Sequence, residues 1–163
     1  MSFNLEQHSG LNAVLAVASP GANLTGLSGA ATTHSTALFG FVIDGVCGNK
    51  AVASGAATPT SDAATGQAIT LTANKARAVA WVIDSSGTTK VVAGPVVDNA
   101  SGTVCPYPAI PAGHIPIAVH TIAGGPTLSG TWTFGSSNWN AAGLTVGTVR
   151  NVAGSLPGFA LTV

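Results

Sequence analysis

Two apolar runs separated by a short polar turn constrain the fold of this chain more than any other stretch. In the first run, Val79, Trp81 and Ile83 alternate with smaller or polar neighbours. Residues 84–87 (DSSG) supply turn-forming side chains, and residues 90–93 (KVVA) lead back out of the turn. Alternation on both sides of a glycine-containing connection is typical of a β-hairpin. We therefore predict a hairpin at the centre of the fold.

Similar short apolar runs recur along the chain, with turn signals every ten residues or so. They are ALFGFVI (37–43), QAITLTA (67–73), IAVHTI (117–122), LSGTWTF (128–134) and an alternating stretch over 144–152. Asp44-Gly45 is a two-residue hairpin signal, and no long helical period is present. This spacing predicts an all-β protein, a single antiparallel β-sandwich or barrel of jelly-roll-like type.

The central runs also predict a core. Because side chains alternate between the two faces of a strand, each strand should place its apolar residues on one shared face. We expect the large apolar side chains of the hairpin and of the run that follows the proline-rich stretch to be buried in one sheet system. These residues are Val79, Trp81, Ile83, Ile117 and Val119.

The first 36 residues differ in composition from the rest and predict a separate element. They are rich in Gly, Ala, Ser and Thr, carry one formal charge (Glu6) and lack a sustained period. We predict an extended N-terminal arm over residues 1–36 that contacts partners, followed by a β domain over residues 37–163. A terminus that stays unstructured is the alternative. The apolar residues expected to contact partners are Leu11, Val14, Leu15, Leu24 and Leu27, together with Trp139 from a later loop.

Charge is scarce. Five basic and five acidic residues make up 6% of the chain, against about 25% in ordinary soluble domains. Nucleic-acid binding is not expected, because neutralising phosphates requires clustered Lys and Arg. A membrane span is not expected either, because no apolar run approaches the roughly 20 residues that it needs. So little charge favours a protein whose surface is covered by neighbours, including copies of itself.

No group of residues has the pattern of an active site. The histidines at 8, 34, 114 and 120 lack metal-ligand spacing, although His114 and His120 lie an even number of residues apart and could share one face of a strand. Asp44, Asp84 and Asp98 lie beside turn-forming residues and are expected to cap turns. Nucleophile elbows, phosphate-binding loops and zinc-protease motifs are absent from the sequence. We therefore predict no catalytic, cofactor or metal site and no enzyme activity.

Two further residue types leave alternatives open. Cys47 and Cys105 could be buried free thiols or could form a disulfide across the sheet. Trp139, within the polar loop GSSNWNAAG, could cover the end of the fold or a subunit contact, or it could stack on a sugar.

Three segments in this order carry a family resemblance: AVAWVIDSSGTTKVVAG, then the proline-rich PAIPAGHIPIAVHTI, then the Gly- and Thr-rich LSGTWTFGSSNWNAAGLTV. The arrangement resembles small virion structural proteins of tailed bacteriophages, in particular capsid decoration (cement) and head-fibre proteins. The resemblance covers roughly residues 37–152, and its most specific element is Pro108–Val119.

This resemblance implies a β-rich, non-enzymatic protein that binds the outer surface of a capsid and stabilises the shell. Its implied partners are the major capsid protein and further copies of itself, as a trimer, with an arm or loop clamping neighbouring subunits. It would be made in the host cytoplasm and located on the virion. The alternative is a phage fibre domain that binds a host receptor or glycan through loop aromatics such as Trp139.

Overall fold

The computed structural model describes residues 13–14, 22–151 and 161–162. These residues form antiparallel strands and turns without a helix, which confirms the predicted all-β class. In this part of the chain no helix is long and apolar enough to span a membrane. The strands are β1 (Ala13–Val14), β2 (Thr33–Thr36), β3 (Phe39–Ile43), β4 (Val46–Lys50), β5 (Ala53–Ala57), β6 (Thr70–Leu71), β7 (Lys75–Asp84), β8 (Thr89–Ala93), β9 (Val97–Asp98), β10 (Val104–Cys105), β11 (His114–Gly124), β12 (Trp132–Thr133), β13 (Leu144–Val146), β14 (Arg150–Asn151) and β15 (Leu161–Thr162).

The central sheet follows the order β13-β11-β7-β8, with β14 also paired to β11 and β9 to β7. β7 and β8 form the predicted hairpin, in which Trp81 lies opposite Val91. Its turn depends on Asp84, whose Oδ1 accepts hydrogen bonds from the backbone N–H groups of Ser86 (3.0 Å) and Thr88 (3.0 Å). The predicted turn-capping role of Asp84 is therefore confirmed.

Strand β11 contains a bulge that changes which residues face which layer. The register with β7 shifts between Pro116 and Ala118, so Ile117 is an extra residue without an opposite partner. A bulge is one of the few positions inside a sheet that accept proline, which has no N–H to donate. Ile117 packs in the main core, whereas Val119 packs on the opposite side of the sheet. All five predicted core residues are buried, but the expectation of one shared face is wrong for Val119.

Smaller sheets cover the main face of the central sheet in a sandwich-like arrangement. They are the three-stranded sheet β1-β3-β4 and the two-stranded sheets β2-β5 and β6-β12. In β3, Phe39, Phe41 and Ile43 point inward and are buried, while the two residues between them are half-buried. The opposite face of the central sheet carries two smaller clusters of mostly small side chains, which include Ala78, Ala80 and Val119.

The structure differs from the predicted arm. Residues 22–36 belong to the packed β domain: Leu24 is 2% exposed and Leu27 is 7% exposed within the main core. Ala37 donates a backbone hydrogen bond to Ala22 (2.8 Å), and β2 pairs with β5. The boundary at residue 36 therefore does not separate two units in the part of the chain that is described. Residues 1–12 and 15–21 lie outside the described residues.

Candidate functional site

The residues expected to contact partners have different positions in the structure. Leu24 and Leu27 are buried in the core of the chain itself, so their side chains do not face a partner. Val14 lies in β1, whose backbone pairs with β3 opposite Val42. Leu11 and Leu15 lie outside the described residues. The sequence of this segment has no periodicity that would predict burial of Leu24 and Leu27. Both residues are buried because they pack against strands that are distant along the chain.

Trp139 is also buried, although its loop suggested an accessible aromatic side chain. It is 3% exposed, and its Nε1 donates a hydrogen bond to the carbonyl oxygen of Thr33 (3.3 Å). Its ring packs edge-on against Phe134, with ring centroids 5.0 Å apart, and lies 5.4 Å from the ring of Trp132. The sequence-based expectation that Trp139 is an accessible residue for a partner or a sugar is therefore corrected: its ring packs in the core. A tryptophan provides the large apolar area that this position needs.

Two histidines extend this aromatic cluster, and sequence patterns pointed to neither as a core residue. The ring of His34 lies 4.8 Å from that of Trp81, and the ring of His120 lies 6.5 Å from it on another strand. Both side chains are buried. The alternation of His34 and Thr36 in β2, both of which are buried, is the sequence signal that could have revealed the inward face.

Burial lowers the pKa of both imidazoles. Removal from water lowers the pKa of His120 to about 4, and a hydrogen bond of Nδ1 with the Thr121 carbonyl oxygen offsets this only in part. For His34, burial and the nearby charge of Lys50 lower the pKa. An interaction with the backbone of Ala56 offsets part of the lowering of the His34 pKa, and Nε2 of His120 has no hydrogen-bond partner within the described chain. Such groups are costly to bury, so the aromatic packing must offset that cost.

The bulge in β11 also separates His114 and His120, whose even spacing would have allowed them to share a face. His114 precedes the bulge, is half-buried and lies opposite Asp84, whereas His120 follows it and lies in the core. Across the described ranges, no group of three or more His, Cys, Asp or Glu residues could hold a metal ion. The cysteines do not pair either: Cys105 is a buried free thiol, and Cys47 is an exposed one on β4.

Three of the four carboxylates in the described residues, Asp62, Asp84 and Asp98, have structural partners. Asp62 is buried and accepts backbone hydrogen bonds from Ala64 (2.7 Å) and from Ala93 (3.1 Å), which fixes the 58–66 loop against β8. Asp98 forms an ion pair with Lys75. Burial alone would raise the pKa of Asp84, but its hydrogen bonds, including one from Lys90, leave that pKa below its usual value. These carboxylates act in turns and loops and do not converge on a cleft.

An open cleft of about 420 Å³ lies beside the first turn of the described core. Its lining includes Trp139 and has no charged side chain. The lining consists of Thr25, Gly26, Leu27, Ser28, Trp139, Val146, Gly147 and Val149. The lining combines apolar side chains and glycine backbone with the hydroxyl groups of Thr25 and Ser28, and it contains no charged or metal-binding side chain that would orient an ionic ligand.

Two of the most exposed large apolar side chains lie elsewhere, at the open end of the β3–β4 hairpin. Leu38 is 60% exposed and Val52 is 67% exposed, and both lie just beyond the last residue pair of that ladder, Phe39–Lys50. β5 follows directly and consists of Ala, Ser and Gly residues that are exposed or half-buried. We call Leu38, Val52 and β5 the hairpin-end surface. Clustered apolar residues of this kind mark interaction sites more often than catalytic ones.

Comparison with known proteins adds no relative from which a role could be transferred. No protein-family model, curated protein or solved structure matches this chain.

Proposed function

We propose that this protein is a non-enzymatic structural protein that binds the outer surface of a bacteriophage capsid and stabilises the shell as a decoration protein. The observation that carries the proposal is the hairpin-end surface, an exposed apolar area on a chain with only five basic and five acidic residues. A surface with so little charge has little electrostatic repulsion to keep copies dispersed, and it suits permanent contact with neighbours.

The chemistry of the hairpin-end surface fits a broad protein contact. Leu38 and Val52 supply apolar area, and the small side chains of β5 let another backbone approach closely. β5 pairs only with β2 within the described residues, so its other edge offers N–H and C=O groups to a partner strand. Pairing of this kind adds main-chain hydrogen bonds to apolar burial.

Stabilisation of a shell follows from repetition of a modest contact. Apolar area removed from water contributes about 25 cal/mol per Å² before the cost of association is subtracted. One copy that bridges two coat subunits therefore adds a limited free energy, but the same contact recurs over the whole lattice. We further propose that copies assemble as a symmetric homo-oligomer, a trimer by resemblance, so that each assembly contacts several coat subunits at once.

The test is co-sedimentation with empty capsids of the phage that encodes the chain. We expect the double substitution Leu38→Asp and Val52→Asp to weaken capsid binding at least tenfold, because it places two charges in the contact. The matched control is Val96→Asp, a valine that is also exposed but lies outside the hairpin-end surface. Unchanged melting temperatures would show that the domain stays folded. Equal binding by the parent and the double variant would contradict the proposal.

A fibre domain that binds a receptor or glycan is the alternative function. Its main support in the sequence was an accessible Trp139, and the burial of that ring removes the face on which a sugar would stack. A glycan array with the purified protein separates the two functions. Glycan binding combined with no capsid binding would favour the fibre domain.

A further inference from the structure

The two-stranded sheet of β2 and β5 contributes little apolar area to the core. The main hydrophobic core includes Phe39, Phe41 and Ile43 of the next strand, β3, but no residue of β2 or β5. The two inward-facing side chains of β2 are polar, His34 and Thr36, and no residue of β5 is buried. A layer with so few buried apolar contacts opens more easily than the rest of a fold.

The ladder between β2 and β5 is short and irregular. Its register shifts between His34 and Thr36, so that the regular pairing is interrupted in the middle of the strand. In the described part of the chain, these two strands pair with each other and with no other named strand. Opening of this sheet therefore leaves the pairing of the central sheet intact.

The imidazole of His34 joins this sheet to the central sheet. It is 2% exposed, and its ring lies 4.8 Å from the indole of Trp81 in β7. A neutral imidazole packs there as an aromatic ring, whereas an imidazolium would be a buried charge. Burying a charge without a counterion costs more than the contact of a cation with an indole returns. The contact between the two sheets therefore depends on whether His34 carries a proton.

The charged and titratable groups around His34 disfavour that proton. Burial and the charge of Lys50, at the end of β4, lower the pKa of His34, and the backbone of Ala56 in β5 offsets this in part. Trp81 carries no charge, and His120 from β11 is a second buried imidazole against the same indole. Within the described residues, no carboxylate contributes to the pKa of His34. A proton on His34 would therefore lack a counterion in the closed protein.

We propose that the β2–β5 sheet opens when His34 takes up a proton, while the central sheet stays folded. In the open state the imidazole lies in water and binds a proton with its ordinary pKa of about 6.5, whereas the closed state disfavours the proton. The closed state is therefore fully favoured above about pH 6.5 and loses stability as the pH falls below that value. His120 stays covered in the open state, because Phe134 and Trp139 also pack on its ring.

This inference does not rest on the proposed function, because the opening takes place in the free chain and is measured there. It does affect that function, since β5 belongs to the hairpin-end surface and a partner bound to that surface would be released in mild acid. Absence of capsid binding at every pH would contradict the proposed function and leave the opening unaffected.

Hydrogen exchange of backbone amides at pH 7.5 and pH 5.5 measures the opening, with each rate divided by the intrinsic rate at that pH. The reporters are the N–H groups of Ser35 and Thr58, which donate to the carbonyl oxygens of Thr25 (3.0 Å) and Thr32 (3.0 Å). We expect the protection of both amides to fall by up to about tenfold at pH 5.5, as uptake of one proton requires. At both pH values they should be at least about a hundredfold less protected than the amides of β7. Equal protection of the two regions at pH 5.5 would overturn the proposal.

Two histidine variants distinguish local opening from global unfolding. His34→Phe keeps an aromatic ring on Trp81 but cannot titrate, so the reporter amides should lose their pH response; His34→Gln tests the same point if the phenylalanine variant does not fold. The matched control is His120→Phe, which should leave the response of these amides unchanged, because His120 stays covered in a local opening. A response that persists in the His34 variants, or one that His120→Phe removes, would overturn the proposal.

Discussion

The central β7–β8–β11 region and the β4–β5 region contain similar apolar residues, but these residues are buried in the first region and exposed in the second. Val79 in β7 is completely buried, whereas Val46 in β4 is 62% exposed. The difference lies in their neighbours: β7 is paired on both sides and covered on both faces, while β4 has one paired side and an open outer face. Apolar composition alone therefore does not define the core. A strand's position in the sheet order decides whether its valines stabilise the fold or remain available for contacts.

Deletion of N-terminal residues that include part of the core should have the largest effect in this comparison. We expect deletion of residues 2–36 to abolish cooperative unfolding, because it removes Leu24, Leu27 and His34 from the core. Deletion of residues 2–12 should leave the melting temperature within a few degrees of the parent, since it retains β1 and all of the described core. Thermal unfolding followed by near-ultraviolet circular dichroism measures both.

The same pair of deletions tests whether the first residues contact a capsid. If an N-terminal arm contributes to the proposed capsid binding, deletion of residues 2–12 should weaken co-sedimentation without loss of the fold. Parent-like affinity would remove the arm from the proposal. A cooperative, parent-like melt after deletion of residues 2–36 would instead show that residues 22–36 are dispensable for the core.

A single substitution in each region should give the next largest difference. Trp81→Ala should lower the free energy of unfolding by about 3–5 kcal/mol, because it leaves a cavity where His34 and Phe134 pack on the indole. Val46→Ala should change it by about 0.5 kcal/mol or less, as is usual for exposed positions. Chemical denaturation of the two variants measures the contrast. A Trp81→Ala variant that unfolds like the parent would contradict the assignment of the core.

Acid provides the smallest of the three effects and acts only on the buried region. The pKa of His120 is about 4 in the folded protein and about 6.5 when unfolded, so between these values the unfolded state binds a proton that the folded state does not. Stability should be constant above about pH 6.5 and fall as the pH drops toward 4, by roughly 3 kcal/mol in total from this residue. The lowered pKa of His34 adds in the same direction.

Two variants connect this pH dependence to the core. His120→Phe should flatten the decline in denaturation midpoints between pH 6.5 and 4, whereas His114→Gln, at a half-buried site before the bulge, should retain it. A slope that is unchanged in His120→Phe would mean that other groups cause the acid sensitivity.

Local patterns predicted the parts of this fold that local physics determines. The β7–β8 hairpin and its Asp84 turn follow from alternation and turn chemistry within about 15 residues. The Asp44-Gly45 turn also follows from sequence, since both residues tolerate the positive φ that the turn requires. The all-β class follows from the repetition of such signals.

Long-range contacts determined what the sequence did not predict. The burial of Trp139 depends on Thr33, 106 positions away along the chain, and the burial of Leu24 depends on strands that lie much later. The hairpin-end surface was missed for the opposite reason: Val52 resembles a core valine, and only the absence of a covering layer leaves it exposed. A local period cannot distinguish an apolar residue that is covered from one that is not.

The bulge at Ile117 has a consequence for how the gene for this chain can change. Deleting one codon between Pro116 and Ala118 would restore strict alternation in β11 and turn one half of the strand over. Either Ile115 would leave the main core, or Ala118, His120 and Ile122 would. Substitutions that conserve volume should be tolerated along this strand, but a change of length should not. We therefore expect related sequences to vary in residue type at these positions while keeping the number of residues between Gly113 and Gly124 constant.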